Sequence, residues 1–425
     1  MDINTLLKGL KEGTFDENLE KLYGKEALET QRNRYIQAAD KFTRLYKNSQ
    51  EVCVFSAPGR SEVCGNHTDH QHGTVLAAAV DLDAIAVVGF HEEGIIRVQS
   101  AGYPETVIAL SDLTIHPEEK GTTTALIRGT AAQFAAMGLV IGGFDAYITS
   151  DVLSGSGLSS SAAFEVLLGT IMDQYYNQGR AGAVEIAKMG QFTENQYFGK
   201  QSGLMDQMVS SVGGFVFIDF ENEKEPVIEK HVCDFKEEGL NLFITDTKGS
   251  HADLTDDYVS VPSEMKQVAA QFGKSCLREV PEEAFFDKLS DLRNSCTDRA
   301  ILRAAHYYAD NARVKKEVEA IDQKDMKRFL ALVRESGNSS ARWLQNLYSV
   351  KKPSEQGIPL ALMVSERVLA GEGACRVHGG GFAGTIQAFV PDHLKEAYRA
   401  AMDGLFGENS CYCLKIRETG GSRVI

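Results

Sequence analysis

Apolar and polar positions repeat with two different periods along the chain, and the change of period predicts where helices give way to strands. Residues 1–50 carry apolar side chains at helical spacing, which predicts an amphipathic helical segment packed on the first domain. From residue 51 the texture changes, because Val52 and Val54 alternate as in a strand and Pro58-Gly59 predicts a turn of the chain. A helical extension is therefore expected before a strand-bearing domain.

Further short apolar runs, bounded by Gly, Asp and similar residues, predict the other strands. These runs occupy 83–90, 95–100, 213–220, 240–247, 384–391 and 411–417, and a hairpin around 91–94 is expected to join the first two. Helical periodicity covers 122–137, 158–176, much of 262–348, 357–370 and 392–404. Strands and helices mix without a regular βαβ rhythm. This order favours α+β layers over a doubly wound parallel sheet.

Length and composition limit the number of domains and the kinds of partner. A chain of 425 residues is long for one compact core, so two domains are expected. The net charge of −15 argues against nucleic acid or an anionic membrane as the main partner, because either needs a basic face. There is no apolar run of membrane-span length, no signal-peptide pattern and no CxxC pair among the eight cysteines. These features favour a cytoplasmic protein.

The segment 57–73, APGRSEVCGNHTDHQHG, gathers polar side chains between two strand-like apolar runs. Arg60 directly follows the predicted turn and carries a permanent, forked positive charge. Four further polar residues crowd the next positions: His67, Asp69, His70 and His72. The combination favours a functional site, with a polar surface loop as the alternative. A zinc site is a weaker alternative, because the spacing fits neither HExxH nor a zinc finger.

A second glycine-bearing segment, 153–168 (LSGSGLSSSAAFEVLL), runs directly into an apolar helix. Glycine lets the backbone approach a ligand, serine hydroxyls add donors, and the helix N-terminus supplies unpaired N–H groups with a partial positive charge. This arrangement predicts an anion cradle, with a glycine-rich helix cap as the alternative. It is not a Walker A loop, since no lysine follows. It is not a dinucleotide GxGxxG motif either, because Ser160 stands where the third glycine belongs.

Two more segments carry candidate chemistry. In 376–390, RVHGGGFAGTIQAFV, glycines precede an apolar strand and predict a tight backbone passage. In 193–214, Glu194 and Asp206 are acids in mostly uncharged, partly apolar surroundings. Acids so placed are candidates for metal binding or acid/base chemistry, and capped or paired structural acids are the alternative.

In this order the segments resemble the motifs of the GHMP small-molecule kinases, and within them the galactokinases. The resemblance rests on APGR with GNHTDH, GSGLSSSA, GLMDQ and RVHGGGFAGT, which are similar to the sugar motif, the phosphate loop, the catalytic-aspartate segment and the third family motif. It implies an α+β, two-domain GHMP kinase fold with the active site between the domains. The implied parts are an N-terminal helical extension (1–50), an N-terminal kinase domain (51–215) and a C-terminal kinase domain (216–425).

The resemblance also implies a reaction, namely ATP-dependent phosphorylation of the anomeric hydroxyl of galactose to galactose 1-phosphate with Mg²⁺. Asp206 would be the general base or electrostatic partner of that hydroxyl, and Arg60 would keep it ionised. Mg²⁺ would be held by Ser161 and Glu194. The ATP phosphates would be bound by Gly155, Ser156, Gly157, Leu158, Ser159, Ser160 and Ser161. The sugar would be bound by Asn66, His67, Asp69, Gly203, Tyr258 and Glu62.

Two positions depart from the galactokinase pattern, because Glu62 stands where asparagine is usual and Asn66 where glutamate is usual. If Glu62 projects into the pocket, it supplies the missing acceptor and galactose is retained. If it points away, the pocket is less negative and a C6 carboxylate or a bulkier substituent becomes tolerable. Galactose is the expected sugar, with galacturonate or N-acetylgalactosamine as alternatives and a non-catalytic sugar- and ATP-sensing regulator as a third reading. The expected partners are the sugar and ATP, in a monomer or weak homodimer.

Overall fold

Two β-sheets with helices packed on them organise the chain. The structure is a computed structural model and describes residues 1–47, 51–152, 157–200, 202–222, 224–249 and 254–425. The strands are β1 (Val52–Cys64), β2 (Thr74–His91), β3 (Ile95–Ser100), β4 (Thr106–Ala109), β5 (Gly143–Ser150), β6 (Phe215–Asp219), β7 (Val227–His231), β8 (Leu240–Asp246), β9 (Ala374–Val377), β10 (Thr385–Pro391), β11 (Cys411–Leu414) and β12 (Ser422–Arg423).

The helices lie in and beyond the stretches that the periodicity predicts. They are α1 (Ile3–Glu12), α2 (Asp16–Tyr23), α3 (Leu28–Leu45), α4 (Thr123–Ala136), α5 (Ser160–Tyr176), α6 (Gly182–Thr193), α7 (Met205–Val212), α8 (Thr255–Ala270), α9 (Glu282–Asp287), α10 (Leu289–Ser295), α11 (Asp298–Asp322), α12 (Met326–Ser339), α13 (Gly357–Leu369) and α14 (Lys395–Phe406). Two π-helical turns extend α6 and α12, at Glu194–Phe198 and Ser340–Leu344. None of the helices in the described ranges is long and apolar enough to span a membrane.

The first sheet has the strand order β12-β1-β2-β5-β3-β4, with β6 paired to the first half of β2 and β7 paired to β6. Helices α4, α5 and α6 cover one face through a core that includes Phe134, Phe144 and Leu167. Helices α1 to α3 cover the other face, where Tyr35 and Phe42 pack with residues of β1 and β2. The predicted helical extension thus lies directly on the first sheet.

Two local predictions for this sheet are wrong. Pro58-Gly59 does not turn the chain, because both residues lie inside β1, where the register with β2 shifts between Pro58 and Arg60. A proline is tolerated at such an irregularity since its missing N–H costs no ladder bond there. The expected hairpin around 91–94 does not form either. Strand β5 pairs antiparallel with β2 and parallel with β3, so it lies between them.

The second sheet has the order β11-β8-β10-β9 and is antiparallel throughout. Its core includes Phe329 and Phe389, and the same cluster contains Val63 and Leu76 of the first sheet. The two sheets therefore share one apolar core. Because β6 and β7 join the first sheet although they extend beyond residue 215, we propose that the domain boundary lies between β7 and β8.

A buried carboxylate ties both chain ends to the first sheet. Asp83 of β2 accepts hydrogen bonds from Tyr23 Oη at 2.6 Å, from Arg34 Nη1 at 2.7 Å and from Arg417 Nη1 at 2.8 Å. Burial opposes ionisation of Asp83, but the two guanidinium groups hold its pKa below the ordinary value. This paired charge fixes α2, α3 and the C-terminal segment against β2.

Candidate active site

Arg60 and Asp206 form an ion pair where β1 meets α7. Both Nε and Nη2 of Arg60 lie 2.7 Å from Oδ1 of Asp206. Arg60 is buried, whereas 31% of the Asp206 side chain is exposed, so one face of the carboxylate is open to a ligand. Burial opposes ionisation of Asp206, but Arg60 and the hydroxyl of Ser159 hold its pKa below the ordinary value. The structure thus brings together the two residues predicted to carry catalysis, with the carboxylate ionised.

The predicted phosphate loop lies against this pair. The carbonyl of Gly157 accepts a hydrogen bond from Arg60, and the hydroxyl of Ser159 donates to Oδ2 of Asp206. Ser159 has a left-handed backbone (φ 60°), and α5 begins at the next residue. Leu158 is fully buried, and its carbonyl accepts from the backbone N–H of Arg60 at 3.1 Å. Leu158 anchors the loop through these contacts, while the N-terminus of α5 supplies unpaired N–H groups.

Two of the predicted phosphate ligands, Gly155 and Ser156, lie outside the described residues. The described part of the loop, at Gly157, contacts the other half of the molecule. A Cβ atom on Gly157 would lie 3.0 Å from Thr385 Oγ1 and 3.1 Å from His378 Nδ1, and its φ is +74°. Glycine meets both requirements, because it has no Cβ and adopts positive φ without strain. The loop is therefore seated between the two sheets.

The predicted metal ligands also meet. Ser161 Oγ donates to Oε1 of Glu194 at 2.9 Å, and the ammonium of Lys200 lies 2.9 Å from the same oxygen. The side-chain amide of Gln207 donates to Oε2 of Glu194 and to Oε2 of Glu165, each at 3.0 Å. Burial and the neighbouring Glu194 raise the pKa of Glu165 well above the ordinary value, which favours its neutral form. Glu194 is thus held by neutral hydrogen-bond donors and one ammonium group.

The donor set at Glu194 fits Mg²⁺. A serine hydroxyl and a carboxylate oxygen converge there, oxygen is the ligand type that Mg²⁺ prefers, and a cationic group already lies beside the carboxylate. Among the described residues no three His, Cys, Asp or Glu side chains are arranged to hold a metal ion. Such an all-protein cage is not needed, since Mg²⁺ in kinases keeps water and substrate phosphate as ligands.

Two side chains of α11 hold the backbone of the predicted sugar loop. Oδ2 of Asp310 accepts from the backbone N–H of Gly65 at 3.1 Å and of Asn66 at 2.9 Å. His306 Nε2 lies 3.0 Å from the carbonyl oxygen of Asn66. Next to this clamp, His67 has a left-handed backbone (φ 62°). Burial lowers the pKa of the His67 imidazole to about 4, so this side chain is neutral at pH 7.

The exchanged pair, Glu62 and Asn66, is buried and internally bonded. Asn66 donates from Nδ2 to Glu62 Oε1 at 2.8 Å and to the carbonyl of Gly379 at 2.7 Å, and its Oδ1 accepts from Asn346 at 2.7 Å. Glu62 also lies 3.1 Å from Nη2 of Arg376. Only 1% of Asn66 and 4% of Glu62 are exposed. Burial outweighs the nearby guanidinium groups and raises the pKa of Glu62 to about 7.

The remaining predicted sugar residues lie at two close approaches, one between two loops and one between α8 and the glycine-rich turn. A Cβ atom on Gly203 would lie 2.4 Å from Oδ2 of Asp69, so only glycine lets these loops come together. Oδ1 of Asp69 accepts from the next backbone N–H at 2.9 Å. Tyr258 donates to the carbonyl of Gly381 at 3.0 Å, and its ring would meet a Cβ on Gly380 at 2.6 Å. Tyr258 thus supports the glycine-rich turn.

Several site residues were not anticipated from the sequence: Glu165, Lys200, Gln207, His378, Arg376 and Asn346. His378 bridges the halves, because its Nε2 lies 3.2 Å from Ser61 Oγ and its Nδ1 lies 3.0 Å from Thr385 Oγ1. Some signals were available. Gln207 follows the aspartate of GLMDQ, and Glu165 is a carboxylate within a largely apolar helix. Lys200 had no comparable signal.

Comparisons with known proteins agree with this geometry. The family description "Galactokinase galactose-binding signature" matches residues 40–90, and "GHMP kinases N terminal domain" matches residues 125–214. A galactokinase of Streptomyces coelicolor is 30% identical over 370 residues, which cover 86% of this chain and 92% of that relative.

Solved structures share the fold. The Lactococcus lactis galactokinase complexed with galactose superposes with a TM-score of 0.76 at 22% identity, covering 90% of this chain and 98% of that one. A mevalonate kinase superposes with a TM-score of 0.60 at 15% identity, covering 85% and 98% respectively. The fold expectation is therefore confirmed. With the family descriptions and the Streptomyces relative, these findings show that the chain belongs to the galactokinase family of the GHMP kinases.

Proposed function

We propose that this protein transfers the γ-phosphoryl group of ATP to the anomeric hydroxyl of galactose, which yields galactose 1-phosphate and ADP. The observation that carries the proposal is the Arg60–Asp206 ion pair, which lies against the serine-rich loop at the start of α5. A partly exposed, ionised carboxylate beside an anion-binding helix N-terminus suits an acceptor hydroxyl that attacks a phosphate. The galactose in the Lactococcus lactis galactokinase complex supports the choice of sugar.

The two oxygens of Asp206 have different tasks in this proposal. Oδ1 is held by Arg60, which fixes the orientation of the carboxylate. Oδ2 accepts the hydroxyl of Ser159, so this oxygen is the one suited to a sugar hydroxyl. Ser159 releases Oδ2 when the sugar binds, and the anomeric O–H then donates to it. As the new P–O bond forms and the bond to ADP breaks, Oδ2 acts in one of two ways. It accepts the proton of the hydroxyl as a general base, or it stabilises that proton electrostatically.

Nucleotide and metal belong on the other side of the pair. The N–H groups at the start of α5, with the hydroxyls of Ser160 and Ser161, are suited to phosphate oxygens. Ser161 and Glu194 would hold Mg²⁺, which neutralises phosphate charge when bound. The guanidinium of Arg60 lies between the two sides and offsets negative charge on the transferring phosphoryl.

The sugar is expected on the side of Asp69 and His67. Asp69 Oδ2 faces Gly203, three residues before Asp206, so a hydroxyl bound by Asp69 lies close to the reacting end.

The buried Glu62–Asn66 pair supports a second candidate, galacturonate. Glu62 is turned to Asn66 and Arg376, which leaves a neutral amide where galactokinases have a carboxylate. An N-acetylated galacto-sugar gains no such support. A silent sensor would not need the assembled Arg60–Asp206 and Ser161–Glu194 contacts.

A sugar panel tests the proposal. ADP release is measured with ATP, Mg²⁺ and each of galactose, galacturonate, N-acetylgalactosamine and glucose. We expect the highest kcat/KM for galactose. A preference for galacturonate that Asn66→Glu abolishes would replace galactose as the substrate. Binding of galactose and ATP without ADP release from any sugar would instead favour a regulator and overturn the proposal.

A further inference from the structure

Lys200 is the cation paired with Glu194 among the described residues. Its ammonium lies 2.9 Å from Oε1 of Glu194, the oxygen that also accepts the hydroxyl of Ser161. Only 2% of the Glu194 side chain is exposed, whereas 58% of the Lys200 side chain is exposed. The ammonium therefore reaches a buried carboxylate from the solvent side of the site.

The backbone around Glu194 explains how Lys200 reaches it. The π-helical turn Glu194–Phe198 ends at Gly199, whose φ of +86° reverses the direction of the chain. The carbonyl of Glu194 then accepts the backbone N–H groups of Gly199 at 2.9 Å and of Lys200 at 3.0 Å. The Cα of Lys200 is thus tied close to Glu194, while its half-exposed side chain is free to change rotamer.

The other charged groups near Glu194 have their own partners. Asp206 is paired with Arg60, and Glu165 shares the amide of Gln207 with Glu194. Removing Lys200 would leave Glu194 as a buried carboxylate with neutral donors only. An uncompensated buried charge is costly, so this oxygen strongly attracts a cation.

We propose that Lys200 is a positioning residue whose ammonium occupies the place of the divalent cation beside Ser161 and Glu194 until metal and nucleotide bind. The inference rests on the metal site of the proposed function. Mg²⁺ binds an oxygen at about 2.0–2.1 Å, so the metal and the ammonium cannot both lie against Oε1 on the side that Lys200 occupies. The metal must displace Lys200. The ammonium holds Ser161 and Glu194 in place when no metal is bound. It also disfavours binding of the free cation relative to binding of a cation that arrives with the nucleotide phosphates.

Equilibrium binding of Mn²⁺ alone to the full-length protein tests the proposal, with free Mn²⁺ measured by electron paramagnetic resonance. We expect Lys200→Met to bind Mn²⁺ about three- to tenfold more tightly than the wild type, because no ammonium has to be displaced. Lys200→Arg keeps the charge, so its affinity for Mn²⁺ should remain as weak as that of the wild type. Lys188→Met is the matched control. The ammonium of Lys188 lies 2.9 Å from Glu185, which is not one of the proposed metal ligands, so this variant should bind Mn²⁺ as the wild type does.

Glu194→Gln and Ser161→Ala separate the two hypotheses. If both variants bind Mn²⁺ as the wild type does, the proposed metal site is wrong. If both bind Mn²⁺ more weakly while Lys200→Met keeps the wild-type affinity, the metal site stands and the role of Lys200 is overturned. Thermal melting of each variant confirms that it is folded before its affinity is compared.

Discussion

Asn66 donates a hydrogen bond to Glu62 at 2.8 Å, so the two residues exchanged relative to the galactokinase pattern are direct partners. The exchange keeps one carboxylate and one amide in a closed, buried space, and Arg376 faces the carboxylate at 3.1 Å. The two substitutions thus act as one unit. Neither residue is free to change alone without leaving a buried polar group without its partner.

The first prediction concerns this pair. Asn66→Glu would place a second carboxylate against Glu62 and remove the donors to Glu62 and Gly379. We expect the free energy of unfolding to fall by about 3 kcal/mol. The double variant Glu62→Asn/Asn66→Glu restores a complementary pair and should recover at least half of that loss. Urea unfolding of the four proteins in the cycle measures the coupling, and simple additivity of the two losses would contradict it.

The second prediction concerns Asp206. Asp206→Asn keeps the shape of the side chain but removes the proposed proton acceptor, so kcat should fall by roughly 10²-fold or more with the fold intact. Asp219→Asn, in an ion pair with Arg278 at 2.9 Å on β6, is the control and should keep kcat. Arg60 and Ser159 hold the pKa of Asp206 below its ordinary value, so its protonation should not limit activity near neutral pH. Near-normal turnover of Asp206→Asn would contradict the proposed catalytic role of Asp206.

The third prediction concerns metal dependence. Ser161→Ala and Glu194→Gln each remove one of the two proposed oxygen ligands, which lie 2.9 Å apart. Both variants should need more Mg²⁺ for half-maximal ADP release, by about tenfold or more, while the KM for the sugar changes little. Glu185→Gln, at a surface ion pair, is the matched control. Unchanged Mg²⁺ titrations in both site variants would make the loop a structural cap.

The fourth prediction concerns the pH dependence of stability. Glu317 of α11 is fully buried, and neither carboxyl oxygen has a nitrogen or oxygen hydrogen-bond partner among the described residues. Burial raises its pKa from 4.5 to about 8, so the folded state holds a proton that the unfolded chain loses above pH 4.5. This carboxyl therefore costs stability as the pH rises from 4.5 to about 8.

Glu317→Gln removes that cost without changing the shape of the side chain. The variant should gain stability over the wild type progressively between pH 5 and 8, and the two should converge near pH 4. Urea midpoints at several pH values measure the difference. Glu319→Gln alters an exposed partner of Arg328 and serves as the control. A difference that is the same at pH 5 and pH 8 would show that Glu317 does not titrate as expected.

The sequence by itself determined the local elements and the order of the chemical segments. Helix α5 begins at Ser160 and ends at Tyr176, within two residues of the predicted 158–176, because its apolar period and glycine-rich start are local properties. β3 (Ile95–Ser100) matches its predicted bounds for the same reason. The motif order also indicated the kinase family and named Arg60 and Asp206, although only the fold makes them neighbours across 146 residues.

Tertiary structure decided which elements pair and which side chains share a partner. The insertion of β5 between β2 and β3 excludes the hairpin that two adjacent apolar runs predict. The sequence left open whether the Glu62 side chain faces the sugar pocket or the protein interior. Its ion pair with Arg376, 314 residues away, turns it to the interior. Lys200 meets Glu194 only because a π-helical turn brings the chain back to it. Hydrophobic period constrains a residue's face, whereas partner choice depends on contacts between distant segments that no local pattern encodes.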